Sequence, residues 1–376
     1  MFENTLDFIK EVFVQSGYAG LTWQNGIMLL VAIALIFLAI VKKFEPLLLL
    51  PMGLGMLVAN IPFSHMSAFD EGKFLNVLYQ GVSWEIYPPL IFLGIGAMID
   101  FAPLIANPSS FLMGAAAQIG LMVTFLLANL VGFNPAESAA LSAIGGADGP
   151  TTILMVTRLA PHLLPSVAIA AYSYMALVPL IQPPVMKALT TKKERSIVMK
   201  PQHQVAKIEK IIFPVVITLV VCLLVPDSTP LIGSLMIGNL IKESGVTDRL
   251  AKTLQTHLLN IATVFLALSV GATATAERFL NVETLQILVL GLFAFIISTA
   301  CGVLCGKVMC LATKGKINPL IGAASVSAMP MAARVVQRVG QEEKPGNHLL
   351  MHAMGPNVSG TVATAILAGV ILGKLG

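Results

Sequence analysis

The amino-acid sequence predicts an all-α polytopic membrane protein, and three observations carry that prediction. Of 376 residues, 56% are hydrophobic, only 11% are charged, and the mean hydropathy is +0.85. Soluble domains carry roughly 25% charged residues, so the composition argues against a soluble enzyme. The net charge of +4 is small and its lysines and arginines gather in loops, so no nucleic-acid partner is expected. Residues 1–24 read as an amphipathic segment containing Glu3, Asp7, Lys10 and Glu11, without the basic-then-apolar order of a leader. Cys222, Cys301, Cys305 and Cys310 all sit in apolar runs, where neither a disulfide framework nor a metal site is expected.

Apolar segments fall near 26–41, 46–61, 89–101, 109–132, 136–157, 165–183, 211–225, 230–241, 258–272, 285–312, 318–335 and 349–373. A simple spanning helix needs about 20 apolar residues, and several of these runs are shorter or broken by Gly and Pro. Broken helices survive at membrane depth only where protein or a cavity surrounds them. The pattern therefore predicts discontinuous helices around an internal site.

The chain also repeats itself. PLLLLPMGLGMLVAN from Pro46 matches PLIGSLMIGNLIKES from Pro230, and the run from Asn134-Pro135 matches the run from Asn318-Pro319, both at an offset of 184. The reading is two membrane repeats, 25–186 and 209–376, joined by a basic linker over 187–208. Lys42 and Lys43 follow the first helix, whereas the linker's basic residues precede its counterpart at 211–225. Positive loops face the cytoplasm, so the repeats are expected to be inverted, with the linker cytoplasmic and an ion site near the midplane. Six apolar segments in the first repeat conflict with inversion unless at least one is re-entrant.

One stretch stands out chemically. LSAIGGADGPTTILMVT (141–157) places Asp148 between Gly145-Gly146 and Gly149-Pro150. A carboxylate at the bilayer centre costs about 2.5–3.5 kcal/mol on insertion scales. Beside unwound backbone, it makes a hard-oxygen site suited to an alkali cation or a proton; the same residues also fit a helix kink capped by Asp148. The matching run, NPLIGAASVSAMPMAARVVQR, offers Asn318 and Ser327 as neutral oxygens and Pro330 as a second breaker. Its small residues Gly322, Ala323, Ala324 and Ser325 should let two broken helices approach closely. Arg334 lies one turn from Arg338, a spacing that suits an anionic group or simple interfacial snorkelling. Tyr172 and Tyr174 in AAYSYMALVPLIQPP, and Asn357 and Ser359 in HAMGPNVSG, complete the polar set. Asp100 and Glu85 are expected near segment ends. Lys187 in VMKA and Lys200 in VMKP lack the strand-and-turn setting of a biotin-acceptor hairpin.

Taken together, KKFEPLLLLP (42–51), GGADGPT (145–151), AAYSYMALVPLIQPP (170–184), KINPLIG (316–322), SAMPMAARV (327–335) and HAMGPNV (352–358) resemble the β subunit of the sodium-pumping, biotin-dependent decarboxylases. The resemblance spans nearly the whole chain. It implies a bacterial inner-membrane subunit that decarboxylates carboxybiotin, consumes a proton and exports sodium. It further implies a carboxyltransferase α subunit, a biotin carrier γ subunit, a small δ-type membrane subunit and a β homotrimer. Biotin would ride on a partner rather than on this chain. Carried over residue by residue, the resemblance makes Asp148 the sodium and proton carboxylate and Tyr174 the coupling tyrosine. Asn318, Gly322, Ser327 and Arg334 become the functional positions of the second motif, and Asn357 a further sodium ligand. Tyr174 and Ser327 would relay the proton. Arg334, with Arg338 in a weaker role, would hold the carboxybiotin carboxylate. Oxaloacetate members carry a longer insertion where 62–88 is short, so methylmalonyl-CoA is the expected substrate, then glutaconyl-CoA. A sodium-coupled solute transporter without enzymatic activity is the alternative reading of the same architecture.

Overall fold

A computed structural model describes residues 11–201 and 203–376, so the start of the amphipathic segment, residues 1–10, lies outside the described residues. The described chain is helical and contains no strand. In order the helices of eight or more residues are α1 Trp23–Ile40, α2 Pro46–Ala59, α3 Phe74–Ser83, α4 Tyr87–Met98, α5 Ser110–Val131, α6 Pro135–Ser142, α7 Gly149–Leu159 and α8 Leu164–Leu189. After the linker come α9 Lys207–Leu224, α10 Thr229–Ser244, α11 Asp248–Thr273, α12 Val282–Ala312, α13 Met331–Glu343 and α14 Leu350–Leu375. Among the described residues six helices, α1, α5, α8, α11, α12 and α14, are long and apolar enough to cross a membrane. Cys222, Cys301, Cys305 and Cys310 are free thiols.

Local sequence sets the helix starts. Thr22 and Asn25 form a capping box at α1, and Asn134 with Glu137 forms another at α6, where Pro135 takes the first position. Pro46 and Pro88 open α2 and α4 in the same way. Gly132, with φ +112, ends α5 in the left-handed region that glycine adopts without steric cost.

Small residues then let four helices pack in reciprocal pairs. Helix α2 packs on α11, and α4 packs on α10. A Cβ on Gly96 would strike the Leu235 carbonyl and one on Gly238 the Leu93 carbonyl; Gly55 and Gly271 play the same parts between α2 and α11. Helix backbones touch directly at such contacts, which is how membrane helices gain dispersion contacts without a hydrophobic driving force. Buried amides close each pair, Asn60 donating to Ala274 O at 2.8 Å and Asn239 to Ile99 O at 3.2 Å. A second group contains α5, α8, α12 and α14, with α5 on α14 and α8 on α12.

Two hairpins pack against this second group. In the first, α6 runs into a 3₁₀ turn (Ala143–Gly146), Ala147 adopts left-handed backbone (φ +51), and α7 returns beside α6. His162 Nε2 sits 3.2 Å from Glu137 Oε1, so the two ends of the hairpin lie together. In the second, Asn318 caps a 3₁₀ helix (Pro319–Ser325), the chain runs extended past Val326, and α13 returns. Its two ends also meet, since Asn318 Nδ2 and Asn347 Nδ2 both donate to the carbonyls of Arg195 and Ile197 in the linker.

Candidate functional site

The tips of the two hairpins touch. The Ser327 N–H donates to Gly146 O at 2.9 Å, which joins the break before Asp148 to the break before Pro330. One of the carbonyls freed by the glycine pair is thus taken by the second hairpin rather than left bare.

Asp148 sits at the N-cap position of α7 and is 5% exposed. Its Oδ2 accepts from the Thr151 hydroxyl at 2.9 Å, and its backbone carbonyl accepts from Thr152 N at 2.9 Å and Thr152 Oγ1 at 2.7 Å. The helix N-terminus behind it favours negative charge there. Among the described residues no basic side chain pairs with the carboxylate, which faces a helix end and hydroxyls instead.

The aromatic neighbour is Tyr172. Its ring packs against Gly149, where a Cβ would collide with it, and it lies within electrostatic reach of Asp148. The side chain is fully buried and its hydroxyl has no hydrogen-bond partner among the described residues. Tyr174, assigned to the site by the sequence reading, faces elsewhere: its ring lies on Gly291 and its hydroxyl donates to Leu288 O of α12. Two residues along an α-helix turn the side chain by about 200°, so both phenols cannot face one ligand.

The second hairpin contributes neutral oxygens. Ser327 Oγ lies 3.1 Å from Thr364 Oγ1, which in turn meets the Gln118 amide at 3.2 Å. Asn357 is fully buried and spends both amide hydrogens on Ala324 O and Val326 O, each at 2.8 Å, while its Oδ1 has no partner. An unpartnered buried acceptor costs about 1–3 kcal/mol; a cation would relieve that cost.

The other expected site residues have different surroundings. Asn318 is pinned to the linker carbonyls and to Leu320 N, so its amide is already engaged at the foot of the hairpin. Gly322 meets Gly302 of α12 rather than the first hairpin, so its small size serves a crossing with a long helix. Arg334 is exposed in the first turn of α13, and Arg338 donates to Pro179 O at 2.8 Å. Asp100 pairs with Lys210 and Glu85 with Arg158, in keeping with places near segment ends.

Sequence reasoning did not single out Thr151, Gln118, Thr364 or Ser298, whose buried hydroxyl faces Gly145 without a partner. Thr151 was legible as the third residue after an N-cap Asp, and Gln118 as a lone amide in an apolar run. Among the described residues no group of three His, Cys, Asp or Glu gathers that could hold a metal ion. The donors around the crossing are oxygens with one formal charge, which match a monovalent cation better than a divalent one.

Fold and donors together define a multi-pass membrane protein with two broken-helix hairpins meeting at a buried carboxylate. The chain belongs to the family described as the Na+-transporting oxaloacetate decarboxylase beta subunit, whose model matches residues 24–375. It is 56% identical to the methylmalonyl-CoA decarboxylase subunit beta of Veillonella parvula, over 98% of this chain and 97% of that one. It is 54% identical to the glutaconyl-CoA decarboxylase subunit beta of Acidaminococcus fermentans, over 98% of each. With the oxaloacetate decarboxylase beta chain of Klebsiella pneumoniae it shares 48% identity, over 93% of this chain and 94% of that one. It is accordingly a bacterial membrane decarboxylase subunit of this sodium-transporting family.

Proposed function

We propose that this chain decarboxylates carboxybiotin delivered by a partner and couples that step to sodium export, and that Asp148 is the residue at which sodium and proton exchange. The single observation that carries the reading is the hairpin crossing, where Ser327 N–H meets Gly146 O beside a buried Asp148. Two oxygens there, Tyr172 Oη and Asn357 Oδ1, are buried without partners.

The chain's own groups suggest the order of events. Sodium is the cargo, and its charge favours the ionised form of Asp148, so its arrival displaces a proton from the carboxyl. Tyr172, rather than Tyr174, is placed to take part in that exchange, while Tyr174 holds α8 on α12. Ser327 offers the next hydroxyl, with Thr364 and Gln118 behind it. The carbamate of carboxybiotin accepts a proton at nitrogen, its N–C bond breaks, the nitrogen keeps the proton as N–H and carbon dioxide leaves. Arg334, exposed at the start of α13, is the guanidinium for the carbamate carboxylate, with Arg338 a turn further on.

The reciprocal pairs α2 on α11 and α4 on α10 support a reading as two inverted repeats, 25–186 and 209–376, with the linker cytoplasmic. The first hairpin, whose ends meet, then enters and leaves on the exterior side, and the second on the cytoplasmic side. That supplies the odd number of crossings inversion requires, and it puts the touching tips near the midplane. Carboxyltransferase, biotin-carrier and small membrane subunits complete the complex, around a β homotrimer. Methylmalonyl-CoA is the proposed substrate, with glutaconyl-CoA and oxaloacetate as the other members of a substrate panel.

The test uses the purified complex in sodium-loaded and sodium-free vesicles. Asp148→Asn is expected to abolish sodium-22 uptake driven by methylmalonyl-CoA. Coupled uptake at the unmodified rate would overturn the assignment. Assaying all three substrates with the unmodified complex decides the substrate separately.

A further inference from the structure

The direction of the Ser327 hydroxyl decides what that residue offers the crossing, and the residues behind it set that direction. Thr364 of α14 is buried, and its γ-methyl packs on Gly146, where an added Cβ would come within 2.8 Å of it. A threonine held in this way has little freedom at χ1. Threonines inside helices commonly give their hydrogen to a carbonyl one turn back, as Thr124 does to Gly120 O and Thr361 to Asn357 O. Thr364 departs from that habit. Among the described residues its hydroxyl meets side chains instead, Ser327 Oγ at 3.1 Å and the amide of Gln118.

Gln118 presents both ends of its amide to that hydroxyl, Nε2 at 3.2 Å and Oε1 at 3.3 Å. Gly114 O, 3.2 Å from Nε2, fixes which end is nitrogen, because only an N–H can face a carbonyl there. A donor and an acceptor therefore lie at nearly the same distance from Thr364 Oγ1. The chain Gln118–Thr364–Ser327 can then be satisfied in two directions with every heavy atom in place. In one, Nε2 donates to Thr364, Thr364 donates to Ser327, and the Ser327 hydrogen turns towards the crossing. In the other, Ser327 donates to Thr364, Thr364 donates to Gln118 Oε1, and Ser327 turns lone pairs towards the crossing. Each hydrogen only rotates about its own C–O bond, so no bond to hydrogen breaks.

We propose that Gln118 and Thr364 are positioning residues, which let Ser327 alternate between offering a hydrogen to the crossing and offering lone pairs to a sodium ion. The proposal rests on the reading of Asp148 and Ser327 given above. A sodium ion binds oxygen lone pairs and is repelled by a hydroxyl hydrogen aimed at it. Loading therefore selects the direction that ends on Gln118 Oε1, and the sodium-free site selects the direction that starts from Nε2. A carboxamide serves both, because it carries a donor and an acceptor side by side. An apolar side chain at position 118 serves neither, and one at position 364 cuts the chain in the middle. The contacts that tune sodium affinity thus extend two residues behind the oxygen that meets the ion.

The experiment uses the whole complex in vesicles and reads the sodium concentration that gives half-maximal decarboxylation. Thr364→Val keeps the side chain's shape but leaves the Ser327 hydrogen no acceptor behind it. That hydrogen then points at the crossing, and the half-maximal concentration should rise about tenfold, the scale of one hydrogen bond. Gln118→Leu removes Oε1, so the Thr364 hydrogen passes to Ser327 and a rise of the same order follows. Thr364→Ser should restore the unmodified value. In a Ser327→Ala background, Thr364→Val should change the value by less than about twofold, since no hydroxyl is left to orient. An unmoved value in Thr364→Val or in Gln118→Leu overturns the proposal. So does an undiminished rise without Ser327, the pattern expected of residues that only pack. Should Thr364→Val fail to assemble, Gln118→Leu with and without Ser327→Ala gives the same decision. If Asp148→Asn itself still pumps sodium, the underlying reading fails instead, so the two failures are distinguishable.

Discussion

The two hairpins reach the same crossing by different chemistry. The first is helical almost to its tip and carries the carboxylate, and ion pairs hold its outer end, Glu137 with His162 and Arg158 with Glu85. The second enters as a 3₁₀ helix, carries neutral oxygens at its tip, and is held at its feet by two asparagine side chains on linker carbonyls. One hairpin brings charge to the crossing and the other brings dipoles. On the function proposed above, one charge among several neutral oxygens would hold a small cation without stabilising it so deeply that it cannot leave.

The largest effect expected from breaking that division is at Asp148. Asp148→Asn should lower sodium-coupled decarboxylation at least about a hundredfold, the scale of losing a proton-transfer group, whereas Ser327→Ala should cost far less in the same assay. Equal losses would show that charge and dipole are interchangeable here.

Asn357 tests the dipole side. Asn357→Ala strands the carbonyls of Ala324 and Val326, each worth about 1–3 kcal/mol when buried without a partner. Thermal unfolding in detergent should fall measurably, with sodium protecting the variant less than the unmodified chain. At the feet of the same hairpin, Asn347→Ala should cost about 1 kcal/mol through its linker hydrogen bonds and leave sodium protection intact.

The tyrosines sharpen the comparison further. Tyr174→Phe removes a made hydrogen bond, so stability should drop by about 0.5–1.5 kcal/mol with coupling kept. Tyr172→Phe removes an unpartnered hydroxyl, so stability should hold or rise while coupled sodium flux falls. The opposite pattern would return the site to Tyr174.

The smallest effect belongs to the surface. Lys187 lies 2.9 Å from Glu342, and its hydrogen bond holds that carboxyl below the ordinary glutamate range. A depressed carboxyl contributes stability above its unfolded pKa and loses it as pH falls through the lowered folded value. Glu342→Gln should cost well under about 1 kcal/mol at neutral pH, and that cost should vanish in high salt.

Much of this was legible in the sequence. Gly145-Gly146, Gly149-Pro150 and Pro330 announced the breaks, and a lone Asp148 in an apolar run marked the carboxylate that the fold buries. Rotation about a helix axis was not legible, because α8 is apolar on most of its faces and nothing in its pattern separates Tyr172 from Tyr174. The surroundings of Asn318 were hidden for another reason. Its partners are backbone carbonyls more than 120 residues earlier, in a linker whose path no periodicity marks.

The grip of Asn318 and Asn347 on the same two linker carbonyls has a mechanical consequence. Hairpin and linker are clamped at two points, so any displacement of α13 carries the linker segment around Arg195 and Ile197 with it. In the proposed pump, a motion beginning among buried oxygens would thereby reach a hydrophilic stretch outside the helix bundle. A fluorophore at Lys193 would follow the stroke of the second hairpin without entering the membrane.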